Sequence, residues 1–264
     1  GDDLFAGDYA ASGSGGGVYG DGAVYHFRKA DNSWSNNNTT HEKYILSASD
    51  GEGNYDYFGL ALDYDGETLA VGAPGLVGNT SSPNYEQGGA VYIFTASNQN
   101  NDQYGEAYKI FPGDHQRGQN FGESVALSDN VLVIGSPGYS ETVSKQGAVY
   151  IYVKDSTGVY SQSQKVISPS PSGPTYGGFG RSITLSGSLL LITQKTSAFG
   201  APGHHYVFKK SSSGKFELLD RVGRDAVIKY SSVDNARIAI SKDQILIGDT
   251  GDAGNGVTTG SVMA

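Results

Sequence analysis

The chain has 264 residues, so it can bury roughly 70–75% of the surface that it exposes on unfolding, and size does not limit its core. It contains 39 glycines, no cysteine and a formal net charge of −9. The negative charge argues against a nucleic-acid partner, because such a partner needs a basic surface. The missing cysteine excludes disulfides and thiolate chemistry, and no apolar run approaches the roughly 18 residues that would predict membrane insertion.

The N-terminal part holds three short apolar runs. They read Leu-Phe-Ala-Gly at residues 4–7, Gly-Ala-Val-Tyr at residues 22–25 and Tyr-Ile-Leu at residues 44–46. Runs of this length that are rich in β-formers and bounded by Gly, Asp or Pro predict strands, since a helix would need a longer segment.

The next segment shows the pattern most clearly. Residues 58–62 begin with Phe-Gly, residues 68–71 lead into Gly-Ala-Pro, residues 90–94 follow a Gly-Gly pair, and a fourth run occupies residues 108–111. The sequence therefore predicts four consecutive strands, which we letter a, b, c and d.

The same punctuation then returns. Phe-Gly recurs at residues 121–122 and 179–180, fourth runs fall at residues 165–167 and 216–219, and a weaker copy begins near residue 238. The equivalent positions are spaced by 65, 63, 58 and 55 residues, and they are Gly7, Gly72, Gly135, Thr193 and Gly248. Four strands per period of this length predict the blades of a β-propeller, in which each small sheet buries its faces against its neighbours.

The domain prediction follows from the strand letters. The chain reads b-c-d, then three full sets, then a-b-c, which makes 18 predicted strands in one propeller segment spanning residues 1–264. The segment divides into a half-blade (1–47), three blades (48–111, 112–167 and 168–222) and a partial blade (223–264). Because propellers close with about 4–8 whole blades, we expect about four and a half blades of a larger propeller in a longer parent chain.

Three motifs carry a family resemblance. Phe-Gly opening the first strand, Gly-Ala-Pro or Gly-Ser-Pro closing the second, and Gly-Ala-Val-Tyr in the third together resemble the FG-GAP repeat of integrin alpha-subunit propellers. The loop at residues 48–51 is similar to the variant common in large secreted proteins of microbes and protists. The resemblance covers nearly the whole chain and implies an all-β propeller of four-stranded antiparallel blades.

Calcium binding is the cofactor question that this resemblance raises. Integrin-type repeats carry a calcium loop of alternating acidic residues between strands a and b. Here those connections are short, and only Asp-Tyr-Asp-Gly-Glu at residues 63–67 is acidic, so we predict no cofactor and find no support for calcium there. A second acidic pattern stands before strand a and resembles the first half of an EF-hand loop; its members are Asp50, Glu52, Asn54 and Asp56. It lacks the later ligand, which favours a solvated acidic turn over a cation site.

No catalytic constellation emerges from the sequence, and we predict no catalytic residue. The five histidines are scattered, and the adjacent His204 and His205 point to opposite faces of a strand, which favours packing roles. The repeated Phe58, Phe121 and Phe179 are predicted to wedge between blades, with their glycine partners allowing close backbone approach.

One end of the blades is the predicted binding surface. In a four-stranded up-and-down sheet the d–a and b–c loops emerge at the same end, and here the b–c loops vary widely whereas the a–b turns are minimal. Binding residues usually lie on loops that a rigid scaffold displays. The resemblance to integrin propellers, which bind ligands at this end, implies the same location. We predict a protein or glycan ligand at this surface, formed by Tyr85, Glu86, Tyr139, Glu141, Asp50, Asp56, Asp114, His115 and Arg117.

The leading functional hypothesis is an extracellular or cell-surface, non-enzymatic adhesion or ligand-binding module, partnered by its ligand and by the remaining blades of the parent chain. Sequons at Asn37, Asn38 and Asn79 predict glycosylation and agree with secretion. Two alternatives stay open. One is a structural segment of an extracellular filament or surface array. The other is a carbohydrate-binding propeller, suggested by the 18 tyrosines.

Overall fold

The computed structural model describes residues 3–11, 21–29, 44–50, 56–76, 88–97, 103–169, 178–194, 204–222, 237–241, 244–249, 253–254, 257–258 and 261–263. All regular structure in these ranges is β-strand. Across the same ranges, no helix has the length and apolar character needed to cross a membrane.

The strands follow one another in antiparallel order. They are β1 (Asp3–Asp8), β2 (Ala23–Arg28), β3 (Tyr44–Leu46), β4 (Ala61–Tyr64), β5 (Thr68–Ala73), β6 (Ala90–Ala96), β7 (Tyr104–Ile110), β8 (Ser124–Ser128), β9 (Val131–Ser136), β10 (Ala148–Lys154), β11 (Tyr160–Ile167), β12 (Phe179–Ser186), β13 (Leu189–Gln194), β14 (His204–Lys210), β15 (Phe216–Val222), β16 (Arg237–Ser241), β17 (Gln244–Asp249), β18 (Ala253–Gly254), β19 (Val257–Thr258) and β20 (Ser261–Met263).

These strands form small sheets in which each strand pairs with the next. The orders are β1-β2-β3, β4-β5-β6-β7, β8-β9-β10-β11, β12-β13-β14-β15 and β16-β17-β20, which we call sheets 1 to 5, with β18-β19 as a separate hairpin. The lettering b-c-d, three times a-b-c-d, and a-b-c is confirmed strand for strand. The chain is thus all-β, with sheets of three or four antiparallel strands that correspond to propeller blades.

The start of strand a differs from the sequence prediction. Residues 58–62 read as a strand, but β4 begins only at Ala61. Tyr57 and Gly59 have φ of 56° and 87°, and the Leu60 amide donates to the Tyr57 carbonyl at 3.0 Å, so a tight turn precedes the strand. The hairpin β18-β19, between strands b and c of the last sheet, is a further element that the sequence analysis does not predict.

The outer strand of each complete sheet carries a bulge at the same place. Pairing of strand c with strand d shifts register after Ile93, Ile151 and Val207, which are equivalent residues. Bulges on edge strands interrupt the row of backbone groups that could otherwise pair with another chain.

The chain divides into two compact units, residues Gly1–Val125 and Ala126–Ala264, with the division inside β8. In the first unit, sheets 1 and 2 bury one core between their facing sides. It contains Phe5, Val24 and Leu46 from sheet 1 together with Leu69, Val71, Tyr92 and Phe94 from sheet 2. The prediction of one propeller segment over the whole chain stays a prediction.

The second unit repeats this arrangement with sheets 3 and 4. Val133, Val149 and Ile151 face Leu190, Ile192, Tyr206 and Phe208 in one buried cluster. The outer strands are joined as well, because the Gln164 side chain both donates to the Phe216 carbonyl (2.8 Å) and accepts from the Phe216 amide (2.9 Å).

Candidate functional site

A repeated contact, which we call the glycine joint, holds each Phe-Gly pair against the sheet that precedes it in the chain. In each copy the Phe-Gly pair before strand a lies against the backbone of the preceding sheet, at one glycine ending strand b and one preceding strand c. Joint 1 brings Phe58-Gly59 to Gly7 and Gly22, joint 2 brings Phe121-Gly122 to Gly72 and Gly89, and joint 3 brings Phe179-Gly180 to Gly135 and Gly147. All three phenylalanines are fully buried, as predicted; Phe58 packs in the core shared by sheets 1 and 2, and Phe179 in the core shared by sheets 3 and 4.

The joint leaves no room for a side chain. A Cβ on Gly72 would lie 2.0 Å from the Gly122 carbonyl oxygen, and one on Gly122 would lie 2.6 Å from the Ala90 carbonyl oxygen. The Phe121 amide donates to the Gly88 carbonyl at 2.8 Å, which fixes the approach. Because these contacts hold the backbone before strand a against the strand b and strand c termini, they position the d–a and b–c loops at one end of each sheet.

Asp50, in the d–a loop before sheet 2, is held by two side chains. The Tyr92 hydroxyl donates to Oδ1 at 2.7 Å, and the Lys109 ammonium lies 2.5 Å from Oδ2. Partial burial raises the pKa of Asp50, but the hydrogen bonds from Lys109 and Tyr92 outweigh it and leave the pKa below its usual value. Burial, and then the Asp50 carboxylate, raise the pKa of Tyr92. The contacts of Asp50 with Tyr92 and Lys109 therefore hold the loop against sheet 2.

The other residues that we predict for the binding surface at this end differ in how far they are exposed. Asp114 and Arg117 are exposed, and His115 is half-buried. The His115 ring covers Gly88, since a Cβ there would lie 2.2 Å from its Cε1 atom, so a d–a loop packs on the start of strand c. Asp56, by contrast, is buried.

Tyr139 does not lie on the predicted surface. It is buried, the Lys165 ammonium lies 3.6 Å from its ring centroid, and its carbonyl accepts from the Gly147 amide at 2.9 Å. Its ring therefore supports the b–c loop from within, which corrects our expectation that it is presented to a partner. Glu141, two residues later in the same loop, is exposed.

Several predicted residues lie outside the described ranges, namely Tyr85, Glu86, Glu52, Asn54, Asn37, Asn38 and Asn79. Their proposed roles in ligand binding, cation binding and glycosylation stay predictions. Among the residues that the structure does describe, no group of three or more His, Cys, Asp or Glu side chains could hold a metal ion. In the acidic a–b turn, Asp65 Oδ1 accepts from the amides of Glu67 and Thr68 at 2.9 and 2.7 Å, so this carboxylate shapes the turn.

The histidines have structural surroundings. His205 Nδ1 is 3.0 Å from the Thr193 hydroxyl, and both residues are buried. His204 stands edge-on to Tyr206, and burial, with Arg221 nearby, lowers its pKa. His26 is fully buried with Nε2 at 2.8 Å from Asp3 Oδ1, where Ile151 and Val131 occupy the equivalent positions of sheet 3.

Sequence analysis missed one pair of tyrosines at the loop end of joint 1. The rings of Tyr9 and Tyr57 have centroids 6.1 Å apart and planes inclined by 59°. The signal that could have found them is a comparison among the copies, because the positions equivalent to Tyr9 hold Pro74 and Pro137, and those equivalent to Tyr57 hold Asn120 and Gly178.

The four-stranded sheets and their glycine joints define a class of protein, the β-propeller repeat proteins. The family comparison agrees, because the FG-GAP repeat family matches residues 41–94 and 104–152. These two segments of the chain are FG-GAP repeats. No curated protein matches it.

Proposed function

We propose that the chain is an extracellular, non-enzymatic adhesion or ligand-binding module that holds a protein or glycan at the d–a and b–c loop end of its sheets. One observation supports the proposal: at this end of the sheets the backbone is held in place while charged side chains are exposed. The glycine joints fix the backbone, while Asp114, Arg117 and Glu141 expose their side chains. Preorganised loops of this kind lower the entropy lost when a ligand binds.

The extracellular location rests on the family and on the sequence. FG-GAP repeats are typical of extracellular proteins. The sequons and the absence of cysteine, which removes any need for a reducing compartment, are compatible with secretion. The remaining blades of the parent chain are the second proposed partner.

A binding array tests the proposal. The purified chain is applied to immobilised extracellular protein domains and oligosaccharides, beside a variant with Asp114→Asn, Arg117→Gln and Glu141→Gln. The matched control carries Glu67→Gln, Asp129→Asn and Lys209→Gln, which remove the same number and signs of charge from other exposed positions. We expect binding to fall at least about tenfold in the first variant only, as losing polar contacts worth about 1.4 kcal/mol would produce. Equal binding by all three proteins would refute the proposed surface.

A segment of a filament or surface array is the second candidate, favoured by exposed apolar side chains on the outer strands. They are Ile45 on β3, Ile167 on β11, and Leu218 and Leu219 on β15. Because the outer strands of the complete sheets are bulged, such contacts would form through side chains rather than by strand addition. Sedimentation of the chain and of a Leu218→Lys, Leu219→Lys variant separates the two candidates, since only assembly makes the sedimentation of the unmodified chain depend on concentration.

A further inference from the structure

The turn before strand a has an unexpected residue in joint 1. Tyr57 adopts φ of 56°, in the left-handed region. The same turn in joints 2 and 3 uses Asn120 (φ 56°) and Gly178 (φ 47°), residue types that tolerate this conformation. Since the turn forms without tyrosine in two other copies, the fold does not require an aromatic side chain here.

Leu60, at the end of the same turn, is also an apolar residue where the other joints have polar ones. Leu60 is 39% exposed, and its equivalents are Glu123 and Arg181. In joint 2 the Asn120 side-chain amide donates to the Glu123 carboxylate at 3.0 Å. Joint 1 therefore has an aromatic and an aliphatic side chain where joint 2 has a satisfied polar pair.

The third member of the patch comes from the end of strand b. Tyr9 is 48% exposed and lies beside Tyr57, whereas joints 2 and 3 have Pro74 and Pro137 at this position. The adjacent Asp8 is exposed, and its Oδ1 accepts from the Ala10 amide at 3.1 Å, which orients the carboxylate. Three positions that hold polar, glycine or proline residues in joints 2 and 3 thus hold apolar side chains in joint 1. Tyr9 and Leu60 are exposed, Tyr57 is half-buried, and the exposed Asp8 is the chain neighbour of Tyr9.

We propose that Tyr9 and Tyr57 form a stacking site for a neutral sugar ring, with Leu60 extending the apolar contact and the Asp8 carboxylate accepting hydrogen bonds from sugar hydroxyls. Tyrosine rings offer a flat apolar surface to the C–H face of a pyranose, and a carboxylate is an acceptor that hydroxyl groups match. The inference rests on the proposed binding function and names the class of ligand that would bind at joint 1.

Size and charge select the sugar. A stable protein interface uses about 20–30 residues on each side, whereas this patch has three apolar side chains, which suits a single ring. The net charge of −9 and the adjacent Asp8 disfavour acidic sugars, because like charges repel. A proline-rich peptide also docks between aromatic rings, and it is an outcome that the test distinguishes.

The experiment measures binding of neutral oligosaccharides of glucose, galactose, mannose and N-acetylglucosamine to the full chain and to Tyr57→Asn and Tyr9→Ala variants. Asparagine is the residue of the equivalent turn, so Tyr57→Asn should keep or raise the melting temperature while binding falls at least about tenfold. Phe111→Ala, which removes an aromatic ring that is 45% exposed at another loop, should leave binding unchanged.

Binding of no neutral oligosaccharide, binding that survives both tyrosine substitutions, or tyrosine-dependent binding of a proline-rich peptide instead would each overturn the sugar site. These failures differ from failure of the proposed function. Protein binding that depends on Asp114, Arg117 and Glu141 but not on the tyrosines would uphold the module and reject this site. An array on which nothing binds would reject both.

Discussion

Glycine is required in this chain for two different reasons, a left-handed backbone conformation and a lack of space for a Cβ atom. Gly180 (φ 90°) and Gly158 (φ 88°) share a backbone conformation that L-residues rarely adopt. A Cβ on Gly180 would lie 2.7 Å from the Ala148 carbonyl oxygen, whereas a Cβ on Gly158 would meet no atom within 4 Å. The first glycine is required by both conformation and space, and the second by conformation alone.

Alanine at these two glycines should therefore destabilise unequally. We expect Gly158→Ala to lower the free energy of unfolding by about 1–2 kcal/mol for the left-handed conformation. Gly180→Ala should cost about 1–3 kcal/mol beyond that, because overpacking adds to the conformational term. Urea denaturation of both variants measures the difference, and equal losses would show that the glycine joint tolerates a methyl group.

The contact between the buried His26 ring and the partly buried Asp3 carboxylate offers a second test at this scale. Asp3→Val leaves the His26 ring buried without its partner, so we expect a loss of about 1–3 kcal/mol. Asp3→Val combined with His26→Ile installs the residues of sheet 3 and should restore stability to the unmodified level or above, as hydrophobic replacement of both members of a polar pair often does. A double-mutant cycle in urea at pH 7 gives the coupling. A double variant that is less stable than the unmodified chain would show that the polar pair is a net stabiliser.

Residue roles were predictable from sequence where the repeat constrains them. Phe58, Phe121 and Phe179 recur in phase with glycine, and that periodicity alone indicated buried wedges. Tyr139 and Asp56 stand in loops, where no periodicity sets the side-chain direction, so their burial depends on tertiary contacts such as the Lys165 ammonium over the Tyr139 ring. The pairing of Thr193 with His205 depends on strand register, which the repeat gave only approximately.

At the scale of elements, the d–a loop before sheet 2 is fastened by charge. Lys109→Met removes the cation beside Asp50 and keeps the side-chain length. We expect a loss below about 1 kcal/mol at pH 7, because Asp50 is partly exposed and solvent screens the pair. The pKa of Asp50 is lowered in the folded chain, so this contribution is present above the unfolded value of about 3.9 and is lost as pH falls through the folded pKa.

The measurement is thermal unfolding of both proteins between pH 7 and pH 2. The difference in stability should stay constant down to about pH 5 and shrink below about pH 4, leaving the part due to the cation over the Tyr92 ring. Lys210→Met, whose strand partner is Phe216, should show no such pH dependence. A difference that is unchanged at pH 2 would contradict the role assigned to Asp50.

Strand existence was predictable and strand ends were less so. Apolar runs bounded by glycine located each of the 18 lettered strands, yet β7 and β11 begin earlier than their apolar cores because Tyr104 and Tyr160 anchor polar stretches. The turn at Tyr57 looked like strand because its residues are β-formers. Its left-handed backbone is imposed by the glycine joint, a contact between sheets that propensity does not contain.

At the scale of the whole molecule, net charge limits the possible partners. At pH 7 and physiological salt the chain should not be retained on heparin or DNA supports, since a charge of −9 offers little to displace condensed counterions. Passage of the chain over both columns, with a basic protein of similar mass as the positive control, checks this. Retention that weakens with added salt would reveal a basic surface and would also argue against a preference for neutral sugars.

The glycine joint has a consequence for how such a chain diversifies. In an ordinary interface a larger side chain on one face can be compensated by a smaller one opposite. In the glycine joint the opposite group is a backbone carbonyl oxygen, which no substitution can make smaller, so replacement of the glycine cannot be compensated by a second substitution nearby. The distance between each Phe-Gly pair and the glycines that it contacts is thereby fixed, whereas the exposed side chains of the loops have no such constraint. Loops at the ends can therefore lengthen, shorten or acquire new side chains copy by copy without altering the contact between a Phe-Gly pair and its glycines.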